Sequence, residues 1–316
     1  MRLRGIRRGF TLVELIVSLA ITAIIALFVF QFATNLAKIW RTTEAGVSTE
    51  LDAQIALDQI ARDIESAIFQ ERKGADEAEQ EIGLPMLAAT ALGDGDVSQS
   101  KRWVGKDNSK RPASWHFDPA AHRYGWAGTW LRFFTAAPSF NAVGYQIIRR
   151  TPFGDSTEPR YLLHRTVIRH DNTVNGGFDI SANGFKDGNT TNGLLSPRLD
   201  GVLLEDVIDF GVRFYIYDDD MDATDDTPAG LRLIFPADDN GNLSATDTEH
   251  LAMYHSEGDY DSRYPELVEV FLRVLDDVGA DKLLALEEGT STETYEGIVE
   301  QHGHLYRRMV RLPGRF

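Results

Sequence analysis

The sequence predicts an α+β protein: a long N-terminal helix followed by an antiparallel β-sheet domain. Three observations carry this expectation. An uncharged run from Leu15 to Ala37 is followed by a stripe of apolar residues at helical spacing. Beyond it lies a series of short segments rich in aromatic and branched residues, separated mostly by Gly, Pro, Asn or Asp.

The first element is basic. Residues 1–9 contain Arg2, Arg4, Arg7 and Arg8 and no acid. The uncharged run behind them is 23 residues, roughly 35 Å of helix, enough to cross a bilayer core of about 30 Å. Four arginines on one flank place that flank in the cytoplasm and the remainder of the chain across the membrane. A secretory signal carries its small-residue cleavage site after the apolar core. Here the small residues Ser18, Ala20, Ala23 and Ala26 lie inside it, so the apolar segment is expected to stay with the protein. Glu14 interrupts the apolar stretch that opens at Phe10. A carboxylate at membrane depth costs about 2.5–3.5 kcal/mol and calls for a partner, which a plain anchor does not need.

Read together, RGFTLVELIVSLAITAII resembles the type IV prepilin signature: Gly9, then Phe10, then Glu14. The resemblance implies cleavage between Gly9 and Phe10 by a prepilin peptidase and N-methylation of the new terminus. It also implies pairing of Glu14 with the Phe10 amine of a neighbouring subunit during assembly. Such a pair neutralises two charges that lipid would otherwise expose.

The helix is expected to continue beyond the membrane. No Gly or Pro occurs from Glu50 to Glu71, and Leu57, Ile60, Ala61, Ile64, Ala67 and Ile68 mark one face. Gly46 loosens the junction, at about 1 kcal/mol relative to Ala. The expected organisation is therefore a basic leader at 1–9, a transmembrane helix at 10–37, an amphipathic extension at 38–73 and an exported β-rich domain at 74–316. Residues 72–128 read as a long irregular region whose Trp103, Trp115 and Trp126 pin the loop to its domain more readily than they bind a ligand. Strands are expected at 129–135, 143–150, 161–170, 202–217, 231–235, 267–276 and 305–312. The period-two alternation of Phe210, Val212, Phe214 and Ile216 predicts one buried sheet face.

Several of these pieces resemble, in order, the J-type minor pseudopilins of type II secretion. Ile60-Ala61-Arg62-Asp63-Ile64 is similar to their L-x-RDL-like helix motif. Leu131–Thr135, Val143–Tyr145, Leu163–Arg165, Leu203–Asp218 and Pro265–Leu272 are similar to their successive strands. The long loops and the tail from Asp277 to Phe316 depart from that pattern. The resemblance implies a structural subunit that supports protein export. Its partners would be the prepilin peptidase, other pilin or pseudopilin subunits and the inner-membrane assembly platform. It would sit in the inner membrane as a single-pass protein with a periplasmic C-terminal domain. The alternatives are a minor pilin of a surface pilus, acting in adhesion or motility, and a membrane-tethered binding module or enzyme.

Composition narrows these classes. The net charge is −16, and removal of the leader would take it to −20, which argues against a nucleic-acid partner. Without cysteine there is no disulfide, cysteine nucleophile or thiolate metal site. No H-E-x-x-H, G-x-S-x-G or Walker pattern occurs, so no enzyme activity is expected. His302-Gly303-His304 could chelate a metal weakly, but reads better as a solvated segment. Asp218, Asp220 and Asp222, with Asp238, Asn240 and Asn242, supply hard oxygen ligands of the kind Ca²⁺ takes. Ala223 and Leu243 stand where an EF-hand loop needs glycine, so no cofactor is expected and a solvated acidic loop outweighs a Ca²⁺ site.

Overall fold

The computed structural model describes residues 12–68, 84–89, 130–136, 140–152, 158–175, 199–224, 227–243, 249–252, 260 and 263–312. The leader, the Gly9-Phe10 junction and the Trp-bearing loop lie outside these residues. The chain divides into two compact units, Met1–Ser48 and Thr49–Phe316.

In the first unit the described chain is wholly helical, the start of α1 (Leu12–Glu65). Within Leu12–Leu36 an 18-residue window reaches a mean hydropathy of 2.7, and none of that window is buried inside the protein. Its hydroxyls are turned inward on the helix. Ser18 Oγ donates to Leu15 O (3.0 Å), Thr22 Oγ1 to Ser18 O (2.8 Å) and Thr34 Oγ1 to Gln31 O (2.8 Å). Each of these hydroxyls is thereby satisfied without water, as a lipid-facing helix requires. This single apolar helix fits a single-pass membrane anchor.

The second unit is an antiparallel β structure around the last turns of α1. One sheet has the order β5-β4-β3-β2-β1-β8, from β1 (Met86–Ala89), β2 (Trp130–Thr135), β3 (Asn141–Arg150), β4 (Arg160–Ile168), β5 (Val202–Glu205) and β8 (Glu249–Ala252). The other has the order β10-β9-β6-β7, from β6 (Val207–Tyr217), β7 (Leu231–Phe235), β9 (Leu267–Leu275) and β10 (Gly303–Arg311). The short helix α2 (His170–Asn175) follows β4. Helices α3 (Asp277–Glu287) and α4 (Tyr295–His302) connect β9 to β10.

The α+β class is thus as the sequence predicts. The apolar stripe is also where the spacing puts it: Leu57, Ile60, Ala61, Ile64 and Ala67 are buried, and Ala53 and Ala56 extend it by about one turn toward the N-terminus. The stripe shares one core with Phe133, Tyr145 and Leu163 of the first sheet and Phe210, Phe214 and Val270 of the second. Burial of such side chains contributes about 1.5–3 kcal/mol each.

Four features differ from expectation. Helix α1 ends at Glu65, not near Lys73, although no Gly or Pro stops it. Ala67 bridges to Thr135, and Ile68 N donates to Phe134 O at 2.9 Å, so β2 captures the backbone groups that would have continued the helix. Strand β6 is buried on both faces, not one: Asp209, Arg213 and Tyr215 are as inaccessible as Phe210 and Phe214. The expected 202–217 strand is two strands broken at Asp206, which has a φ of 58°. The expected strand ends at Asp276 and His170 instead lie where helices begin. Asp276 caps α3, its Oδ1 accepting from Gly279 N at 2.7 Å, and His170 opens α2.

Candidate functional site

Glu14 lies in the first turn of α1, exposed within the apolar segment. A carboxylate at a helix N-terminus is favoured by the backbone N–H groups that point toward it. Gly9 and Phe10 lie outside the described residues.

The best-formed polar constellation sits where α1 meets the first sheet. Asp63 falls on the helix face carrying Ile60 and Ile64 and is itself buried. Its Oδ2 accepts from Arg165 Nε at 2.6 Å and from the Tyr145 hydroxyl. Its Oδ1 accepts from Arg165 Nη2 and from Gln59 Nε2, both at 3.0 Å. The Arg165 contact is a two-pronged guanidinium–carboxylate pair, the strongest and most directional geometry available to these groups. Tyr145 on β3 and Arg165 on β4 face each other in register. The helix is therefore fastened across two neighbouring strands.

Burial, and then the adjacent Asp63 carboxylate, push the Tyr145 hydroxyl well above the ordinary tyrosine value, so it stays protonated and donates. Both carboxylate oxygens of Asp63 hold two donors. The group is saturated as an acceptor and is built to hold position. Asp63 of the Ile60–Ile64 piece, Tyr145 of Val143–Tyr145 and Arg165 of Leu163–Arg165 thus meet in one clamp. Their spacing could not show this, because Tyr145 and Arg165 stand 82 and 102 residues from Asp63.

The acidic clusters do local structural work. Asp238 Oδ1 accepts from Asn240 N and Asn242 N, both at 2.9 Å, closing a turn that passes through Gly241 at a φ of 80°. These hydrogen bonds, the Asn242 backbone N–H foremost, hold its carboxyl below the usual carboxylate range. Asp218 Oδ1 accepts from Asp220 N at 3.2 Å, and its Oδ2 lies 3.6 Å from Arg232 Nη1. Asp222 is exposed. Among the described residues no group of three or more His, Asp or Glu side chains is placed to hold a metal ion. His302 closes α4 with Nδ1 3.1 Å from Asp276 Oδ2, and His304 is exposed on β10.

Residues 4–30 match the family model described as the prokaryotic N-terminal methylation motif. That span contains Gly9, Phe10, Glu14 and most of the apolar helix. No curated protein and no solved structure gives a significant match. The motif implies processing by a prepilin peptidase and assembly with other pilin subunits. The chain therefore carries a type IV prepilin-like signal ahead of an α+β domain, and that signal supports a precursor of the pilin-like or pseudopilin class.

Proposed function

We propose that this chain is a minor pseudopilin, similar to the J type, in a type II secretion-like pseudopilus that supports protein export. The observation that most favours it is the clamp: motif pieces from α1, β3 and β4, each weak alone, form one hydrogen-bonded unit around Asp63. The prepilin peptidase would cut between Gly9 and Phe10. Before that cut the four leader arginines would set the N-terminus on the cytoplasmic side, and afterwards the apolar helix would hold the subunit in the inner membrane with the β domain in the periplasm. Glu14 would neutralise a neighbour's Phe10 amine as the inner-membrane assembly platform adds subunits. The role is structural, without catalysis, cofactor or nucleic-acid partner.

The test is deletion of the gene, complemented by the wild-type chain or by Glu14→Ala. The expected result is loss of secreted protein from the medium, restored by the wild type and not by Glu14→Ala, with the variant still inserted in the membrane. Intact secretion with loss of surface pili or surface motility would replace this reading with that of a surface minor pilin.

A further inference from the structure

β10 is the terminal strand of its sheet, paired only with β9 among the described residues. Its register is unbroken from Gly303 opposite Leu275 to Arg311 opposite Leu267. At the two ends of this ladder, Leu312 N donates to Glu266 O (3.0 Å) and Asp276 N donates to His302 O (3.1 Å). Even-numbered positions of β10 thus direct their backbone groups at β9. In an antiparallel ladder the intervening residues point theirs the other way. Leu305, Arg307, Met309 and Arg311 therefore present both backbone and side chains at the open edge, on one face of the sheet.

That face alternates apolar and basic. Leu305 is 40% and Met309 44% exposed. Arg307 has a side chain 73% exposed, with Nη1 4.0 Å from Glu269 Oε1, and the Arg311 guanidinium lies 6.0 Å from the Tyr217 ring centre. From Gln301 to Phe316 there are four arginines and no acid, in a chain whose net charge is −16. A long exposed edge with apolar residues recruits other strands. Arginines at alternate positions repel a second copy of β10 and attract carboxylates.

We propose that the open edge of β10 is a docking strand for an acidic, extended segment of a neighbouring protein subunit, added as a further antiparallel strand. On the face of Leu305 to Arg311, the incoming segment would set apolar side chains opposite Leu305 and Met309 and carboxylates opposite Arg307 and Arg311. Backbone pairing supplies the affinity, and the alternating side chains supply the selectivity. The inference does not rest on the secretion reading, since it concerns binding by the folded domain and not processing or export.

The test uses the full chain in detergent and two synthetic eight-residue peptides. Both carry threonine on one face; the other face alternates valine with glutamate in one peptide and valine with lysine in the other. The glutamate peptide should bind at least tenfold more tightly. Met309→Pro removes one outward N–H and leaves the bonds to β9 in place, as edge strands allow; it should weaken binding at least tenfold. Arg307→Glu combined with Arg311→Glu should invert the preference toward the lysine peptide, which keeps the test decisive if the proline variant fails to fold. Equal binding of both peptides, no binding of the glutamate peptide, or undiminished binding by a folded Met309→Pro chain would overturn the proposal.

Discussion

Replacing Asp63 with alanine removes the acceptor shared by Arg165, Tyr145 and Gln59. The Tyr145 hydroxyl is then buried without its partner, at about 1–3 kcal/mol. Arg165 loses both prongs of its ion pair. Loss of one member of a fully buried pair costs about 3–5 kcal/mol, but the Arg165 side chain is 27% exposed, and water recovers part of that. A total near 3 kcal/mol follows, a large share of the roughly 5–15 kcal/mol that stabilises a typical domain. Tyr145→Phe alone should cost about 1 kcal/mol, the net worth of one hydrogen bond. The double variant Asp63→Ala with Tyr145→Phe should cost less than the sum, by about 1–2 kcal/mol, because phenylalanine strands no hydroxyl. The assay is urea unfolding of the full chain in detergent, followed by near-ultraviolet circular dichroism, which reports side-chain packing in the β domain. Costs that add within about 0.3 kcal/mol would show that the two groups do not share an interaction, and the clamp would be refuted.

Three further perturbations address other parts of the domain. Burial, opposed by Arg160 and reinforced by Glu205, Asp277 and Asp281, raises the Asp206 carboxyl to about 7. A raised carboxyl contributes its full stability below its unfolded value near 4 and loses it as pH rises through 7. Asp206→Asn should therefore unfold at higher urea than the wild type at pH 8, by on the order of 1–2 kcal/mol, and flatten the dependence between pH 4 and 8. Asparagine also tolerates the φ of 58° at this position; equal pH profiles for the two chains would contradict the shift. Gly279→Ala would drive a methyl into the Cβ of His302 and should cost about 1–3 kcal/mol in the same assay, whereas Gly289→Ala, in open space at a φ of 74°, should cost only the left-handed backbone term of about 1 kcal/mol.

The parts of this fold legible in the sequence were those with local periodicity. The stripe Leu57, Ile60, Ala61 and Ile64 shows its role in its spacing alone, and strands such as Leu231–Phe235 are bounded by turn residues on both sides. What was hidden depends on contacts between distant residues. The helix stop at Glu65 is made by β2, and β1 and β8 are four residues each, too short for an alternation to register. Strand β6 alternates as though half exposed, yet its second face is buried with a polar set, Asp209, Arg213 and Tyr215 with Glu269 of β9, whose Oε2 accepts from the Tyr215 hydroxyl at 3.0 Å. Hydropathy reads such residues as solvent-facing. The same limit applies to the clamp: Asp63 stood out only through a resemblance, and its partners required the sheet register. Helices α3 and α4 have caps visible in the sequence, Asp276 and Thr294, each three residues before a glycine whose N–H it accepts.

The most direct test of the central claim concerns the other end of the chain. The full protein, extracted from membranes of cells with an active prepilin peptidase, is measured by intact mass and N-terminal peptide mass spectrometry. A chain lacking residues 1–9, with an N-methylated Phe10 at its terminus, is the expected result. A chain that retains Met1 under those conditions would contradict it.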